Sequence, residues 1–207
     1  MINSLALSDA VLAFVSAFSV FLMAQRNAIA QVHRLSSIMA LLGFFLITLA
    51  ASLGALRYGV SPLWVKPHDL MTGIATFISP PILSAALCLG LSTKAWSYLY
   101  WAIVLAVFYL LYMLADKYHL EELWRNTLLS LSLIGCLLFT LRSQLNYGVK
   151  LMLLIAIISY FLGGLVLGFH GMLLGYLRLE LFRYFIGLGN LLLSASMYLT
   201  FKRDYSL

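Results

Sequence analysis

A chain of 207 residues that is 63% hydrophobic and 10% charged is too apolar to have water as its main solvent, since soluble domains hold about 45–50% apolar residues. Its formal charge of +6 is spread over loops without a basic stripe interleaved with stacking aromatics, which argues against a nucleic-acid partner. The apolar residues come in continuous blocks of helix length and do not alternate with polar ones, so the spanning elements are helices and not barrel strands.

Seven such blocks occur, at about 8–25, 36–57, 68–91, 96–115, 124–142, 148–170 and 180–201. They predict an all-α, polytopic transmembrane bundle, with 1–207 forming a single domain and no internal repeat. Ala28-Ile29-Ala30 after the first block looks like a signal-peptide cleavage site, but no Lys or Arg precedes that block. It therefore reads as a spanning helix.

Orientation follows from the positive residues, which are retained on the cytoplasmic side. The first loop carries Arg26 and Arg34, whereas the segment before it carries neither Lys nor Arg. The acids Asp9, Asp69, Asp116, Glu121, Glu122 and Glu180 then fall on the outer side, with only Asp204 inside. This gives an N-out, C-in protein of a plasma membrane or bacterial inner membrane, its inner face basic as anionic lipids favour. Trp64, Trp96 and Trp124 near the helix ends suit the headgroup layer.

The stretch from Gly54 to Pro81 holds all four prolines together with Arg57, Lys66, His68 and Asp69. In the third helix His68, Thr72, Thr76 and Ser79 recur at helical spacing and form a polar stripe. The stripe ends at Pro80-Pro81, where two lost backbone donors predict an interruption. The seventh helix repeats the pattern with Arg183, Gly187, Asn190 and Ser194. The second presents Gly43, Ala50, Gly54 and Arg57 on one narrow face suited to close backbone contact.

If the second, third and seventh helices touch, these stripes meet in an outer-facing pocket. Its rim is Arg57, His68, Asp69, Glu180 and Arg183, with Thr72, Thr76, Ser79, Asn190 and Ser194 deeper. Two arginines suit an anionic group such as a phosphate or carboxylate. The competing reading makes the hydroxyls and Asn190 cross-helix hydrogen-bonding groups and lets the arginines snorkel. In the sixth helix Gly164, Gly168, Gly171 and Gly175 continue at helical spacing, a close-packing stripe within the bundle or between protomers of a homo-oligomer.

His68, His119 and His170 share one face by the parity of the spans, with several acids, and are the candidate ligands of an alternative zinc site. No H-E-x-x-H or H-x-x-x-H pair accompanies them. Cys88 and Cys136 lie alone in apolar runs and read as packing residues. No Lys, Arg, Asp, Glu or His occupies a predicted helix centre, which disfavours proton or ion coupling through the bilayer.

The layout, with Gly54-Ala55-Leu56-Arg57-Tyr58-Gly59 closing the second helix, Asp69 opening the third and Glu180-Leu181-Phe182-Arg183-Tyr184 opening the seventh, resembles the ceramidase-like superfamily of alkaline ceramidases and progestin and adiponectin receptors. That resemblance implies seven helices around a zinc site built from histidines of the second and seventh helices and an aspartate near the third. Here only Asp69 matches in kind, and neither quoted segment contains a histidine. The expected function is a membrane module, not an enzyme, that binds a lipid headgroup or small anionic ligand. The alternatives are a metal-dependent lipid amide or ester hydrolase and a solute transporter gated at the broken third helix.

Overall fold

The computed structural model describes residues 4–91, 97–118, 120–167, 171–173 and 175–202. Trp96, His119, Gly168, His170 and Asp204 lie outside them. Among the described residues there are seven helices long and apolar enough to cross a membrane. They are α1 (Ser4–Met23), α2 (Arg34–Gly59), α3 (Val65–Gly90), α4 (Tyr98–Lys117), α5 (Glu121–Arg142), α6 (Tyr147–Phe161) and α7 (Arg178–Phe201).

Local chemistry sets the ends. A 3-10 turn, Pro62–Trp64, leads into α3. Ser61 caps it by accepting from the Leu63 amide at 3.3 Å, and Pro62 and Pro67 sit where an amide would lack a helical partner anyway. Asn146 Oδ1 accepts from the Gly148 amide at 3.0 Å to cap α6, and Lys150 Nζ donates to the Leu141 carbonyl at 2.9 Å at the end of α5, where the helix dipole favours a cation. Several hydroxyls in the apolar runs bond within their own helix, as Thr48 does to the Phe44 carbonyl and Ser196 to that of Leu192.

Six helices close into a ring, each packing on the next in the order α1, α2, α3, α5, α6, α7 and back to α1. α4 lies outside the ring against α3 and α5. Only one of its faces is covered, where Trp101 and Ala115 are buried while Ile103, Val107 and Leu110 are exposed, as expected of a helix whose outer face is solvated by lipid. The half of the ring away from the N-terminus is filled by Phe44, Leu87, Leu153, Met197 and Phe201. The Phe201 ring occupies the space that a Cβ on Gly90 would need. That end is also clasped, because the Ala30 amide donates to the Phe201 carbonyl at 2.9 Å and His33 stacks on Phe201.

Two expectations are corrected here. α3 is not interrupted at Pro80-Pro81 but runs on as helix to Gly90. A proline removes a donor at its own position, and a packed environment holds the remaining turns in place; Ile78, Pro81, Ile82 and Leu83 are all buried. The predicted sixth helix is α-helical only to Phe161 among the described residues. It gives way to a π-helical turn at Leu162–Leu167, which contains Gly163 and Gly164, the poorest helix formers after proline. Gly171 and Gly175 then belong not to a packing stripe but to a two-stranded hairpin (β1, Met172–Leu173; β2, Tyr176–Leu177), where their φ angles are +95° and +83°. Only glycine adopts such angles freely. Nothing lies within 4 Å of a Cβ placed on Gly175, so Gly175→Ala carries the conformational cost alone. It is expected to lower stability by about 1 kcal/mol, read as a small drop in thermal midpoint.

Candidate functional site

The ring encloses a cavity of about 410 Å³, within the roughly 300–1,000 Å³ range of small-molecule pockets. Its charged residues lie at the face that carries the N-terminus, and its walls become apolar with depth. Along α3 the lining runs from His68 and Asp69 past Thr72, Thr76 and Ser79 to Leu83. Along α5 it runs from Arg125 to Leu129, Leu133 and Cys136, and along α7 from Arg183 to Ile186 and Leu193. At 1.5 Å per residue these tracks descend about 15–23 Å.

At the mouth, α2 delivers Arg57 and Tyr58 and α3 delivers His68 and Asp69. Arg57 Nη1 donates to Asp69 Oδ1 and, at 2.9 Å, to His68 Nδ1. A guanidinium can only donate, so Nδ1 of His68 is the acceptor and the ring proton sits on Nε2. The Tyr58 ring lies between the two arginines, 5.1 Å from each guanidinium carbon, an arrangement that holds cations on an aromatic face.

Arg183 is engaged differently. Its Nε donates to Asp9 Oδ1 at 2.8 Å, and its Nη1 donates to the Leu5 carbonyl at 3.0 Å and to Ser8 Oγ at 3.1 Å. The Asp9 and Arg183 side chains are 4% and 5% exposed, whereas Arg57 and Asp69 are 25% and 60% exposed. The mouth thus combines one sealed ion pair with two open ones, Arg57–Asp69 and Arg125–Glu122.

Gly54 explains how Asp9 fits. A Cβ there would overlap Asp9 Oδ2 and lie 2.9 Å from His68 Nε2, so the missing side chain makes room for a carboxylate and not, as the small-residue pattern suggested, for a neighbouring backbone.

Of the residues singled out from the sequence, Arg57, His68, Asp69, Thr72, Thr76, Ser79 and Arg183 line this cavity. Asn190, Ser194 and Glu180 do not. Asn190 is fully buried between α1, α6 and α7, where Tyr160 Oη donates to its Oδ1 at 2.6 Å and its Nδ2 donates to Ser16 Oγ at 2.8 Å. Ser194 bonds within its own helix to the Leu191 carbonyl. Glu180 is buried near the start of α7. The stripes fail to converge as expected because α1 stands between α2 and α7, and α7 spends its polar side chains on α1. Sequence reasoning missed Asp9, Tyr58, Arg125 and Tyr160 as lining residues. The one acidic residue of the first block, at its start, was the available signal for Asp9, since such a group must find a partner inside the bundle.

For the zinc alternative, His119 and His170 lie outside the described residues, and His68 Nδ1 is taken by Arg57. Among the described residues no group of three or more His, Cys, Asp or Glu side chains converges to hold a metal.

The fold defines a multi-pass, seven-helix integral membrane protein. No protein-family model, curated protein or solved structure matches the chain.

Proposed function

We propose that the protein is a non-catalytic membrane module that binds one single-chain lipid bearing an anionic headgroup, which enters from the face that carries the N-terminus. The observation behind this reading is the division of the cavity. Three arginines against two aspartates line the mouth, while Leu83, Leu129, Leu133 and Leu193 line the depth. Such a gradient matches an amphiphile whose head needs hydrogen-bond donors and whose tail needs an apolar wall. The modest volume suits one chain. The charge distribution of the loops supports an outward-facing mouth.

The test is equilibrium binding of a monoalkyl phosphate to the protein in neutral-lipid nanodiscs. Leu133→Trp fills the deep half of the cavity without touching a charged group. It is expected to weaken binding at least about tenfold, or about 1.4 kcal/mol, with the unfolding temperature unchanged within a few degrees. Equal affinity in the two proteins would contradict a tail held in the cavity.

A further inference from the structure

We infer that Asp69 is a resident competitor for the ligand's headgroup, which binds Arg57 by exchanging with this carboxylate. The inference rests on the lipid-binding reading above and names the atom group that receives the anion.

Three ion pairs stand at the mouth, and Arg125 meets Glu122 of its own helix at 3.8 Å; the two pairs that join different helices, Asp9–Arg183 and Arg57–Asp69, cannot serve equally. Arg183 is held by Asp9, Ser8 and the Leu5 carbonyl with its side chain 5% exposed, so an incoming anion would have to break a sealed network. Arg57 is anchored from the protein side by His68 Nδ1 at 2.9 Å and by the Tyr58 ring. These contacts hold the guanidinium in place whichever anion it meets. Asp69 is 60% exposed, and it lies 3.6 Å from His68 Nδ1, too far for a hydrogen bond. It can rotate into solvent at little cost, because exposed pairs contribute only about 0.2–1 kcal/mol.

A phosphate monoester or carboxylate offers the same acceptor oxygens with geometry suited to a bidentate contact, and its apolar tail supplies further binding that Asp69 lacks. The exchange replaces one anion by another at Arg57, so the guanidinium keeps a counter-charge in the partly buried mouth. Asp69 therefore sets a threshold. Anions without a tail do not displace it, and amphiphiles do.

The experiment compares wild type, Asp69→Asn, Arg57→Gln and the double variant, each titrated in nanodiscs with a monoalkyl phosphate, a fatty acid and an uncharged monoacylglycerol. Asp69→Asn is expected to tighten both anionic probes roughly two- to fivefold and to leave the uncharged probe unchanged. On the Arg57→Gln background the Asp69→Asn gain should vanish, which is the coupling that a shared partner demands. A larger gain for the phosphate than for the fatty acid would identify the phosphate monoester as the preferred head, and the reverse order the carboxylate. Weaker or unchanged binding of both anions in Asp69→Asn, or a gain that survives Arg57→Gln, overturns the inference. If the anions bind wild type and Leu133→Trp abolishes that binding, the cavity reading stands whatever Asp69→Asn does. If no probe binds wild type, that reading falls with it.

Discussion

Arg183→Ala is expected to lower stability by about 3–5 kcal/mol, the cost of stranding one member of a buried ion pair. The loss is large because Asp9 is sealed at 3% exposure and its Oδ2 already lacks a hydrogen-bond partner among the described residues, so removal of Arg183 takes away the counter-charge that bonds to Oδ1. Ser8 Oγ loses the Arg183 donor at the same time, and the Leu5 carbonyl keeps only the Ser8 hydroxyl of its two side-chain donors. Asp9→Ala should be nearly as damaging, since it leaves the guanidinium uncompensated. The double replacement Asp9→Leu, Arg183→Met should recover most of the loss, because well-packed apolar residues often replace a buried pair without penalty. Denaturation of the purified protein in mixed micelles measures all three. A single replacement that stays within about 0.5 kcal/mol of wild type would show that the pair does not hold α1 to α7.

Gly54→Ala is the second large effect, with an expected cost of about 1–3 kcal/mol from overpacking. The added methyl would overlap Asp9 Oδ2 and press on His68 Nε2. Neither neighbour can retreat, since Asp9 is fixed by Arg183 and His68 by Arg57 and the edge of the Tyr58 ring. Gly187→Ala is the control. A Cβ there meets only Leu12 Cδ1, at an ordinary 3.8 Å, so the helix gains about 0.5–1 kcal/mol from the lost backbone freedom of glycine. Opposite signs for two glycine replacements in facing parts of the bundle, read from the same unfolding assay, would tie the first effect to the space above Gly54.

The spans were legible because a bilayer imposes their length and apolar content, and each spanning segment, the sixth with its π-helical turn included, starts and stops within a few residues of the hydropathic boundary. The α3 stripe was legible too, since His68, Thr72, Thr76 and Ser79 share a face by the helix period and that face lines the cavity. What periodicity cannot supply is the neighbour. The stripe on α7 has the same spacing, yet Asn190 bonds to Ser16 and Tyr160, because α1 intervenes between α7 and α2. Asp9 looked like a boundary residue, and its partner is in the last helix, a pairing that only the closed ring creates. Gly171 and Gly175 continued a helical spacing by coincidence; the sign of φ is not written in a spacing. Pro80-Pro81 predicted an interruption from local chemistry alone, and the surrounding packing keeps α3 helical.

The most direct measurement is native mass spectrometry of the protein extracted from its own membrane, with any bound lipid released and identified, beside the Leu133→Trp variant. The account predicts one single-chain anionic lipid per wild-type chain and its loss from the variant. Retention of the same lipid by the variant, or recovery of only two-chain or uncharged lipids from wild type, would contradict it.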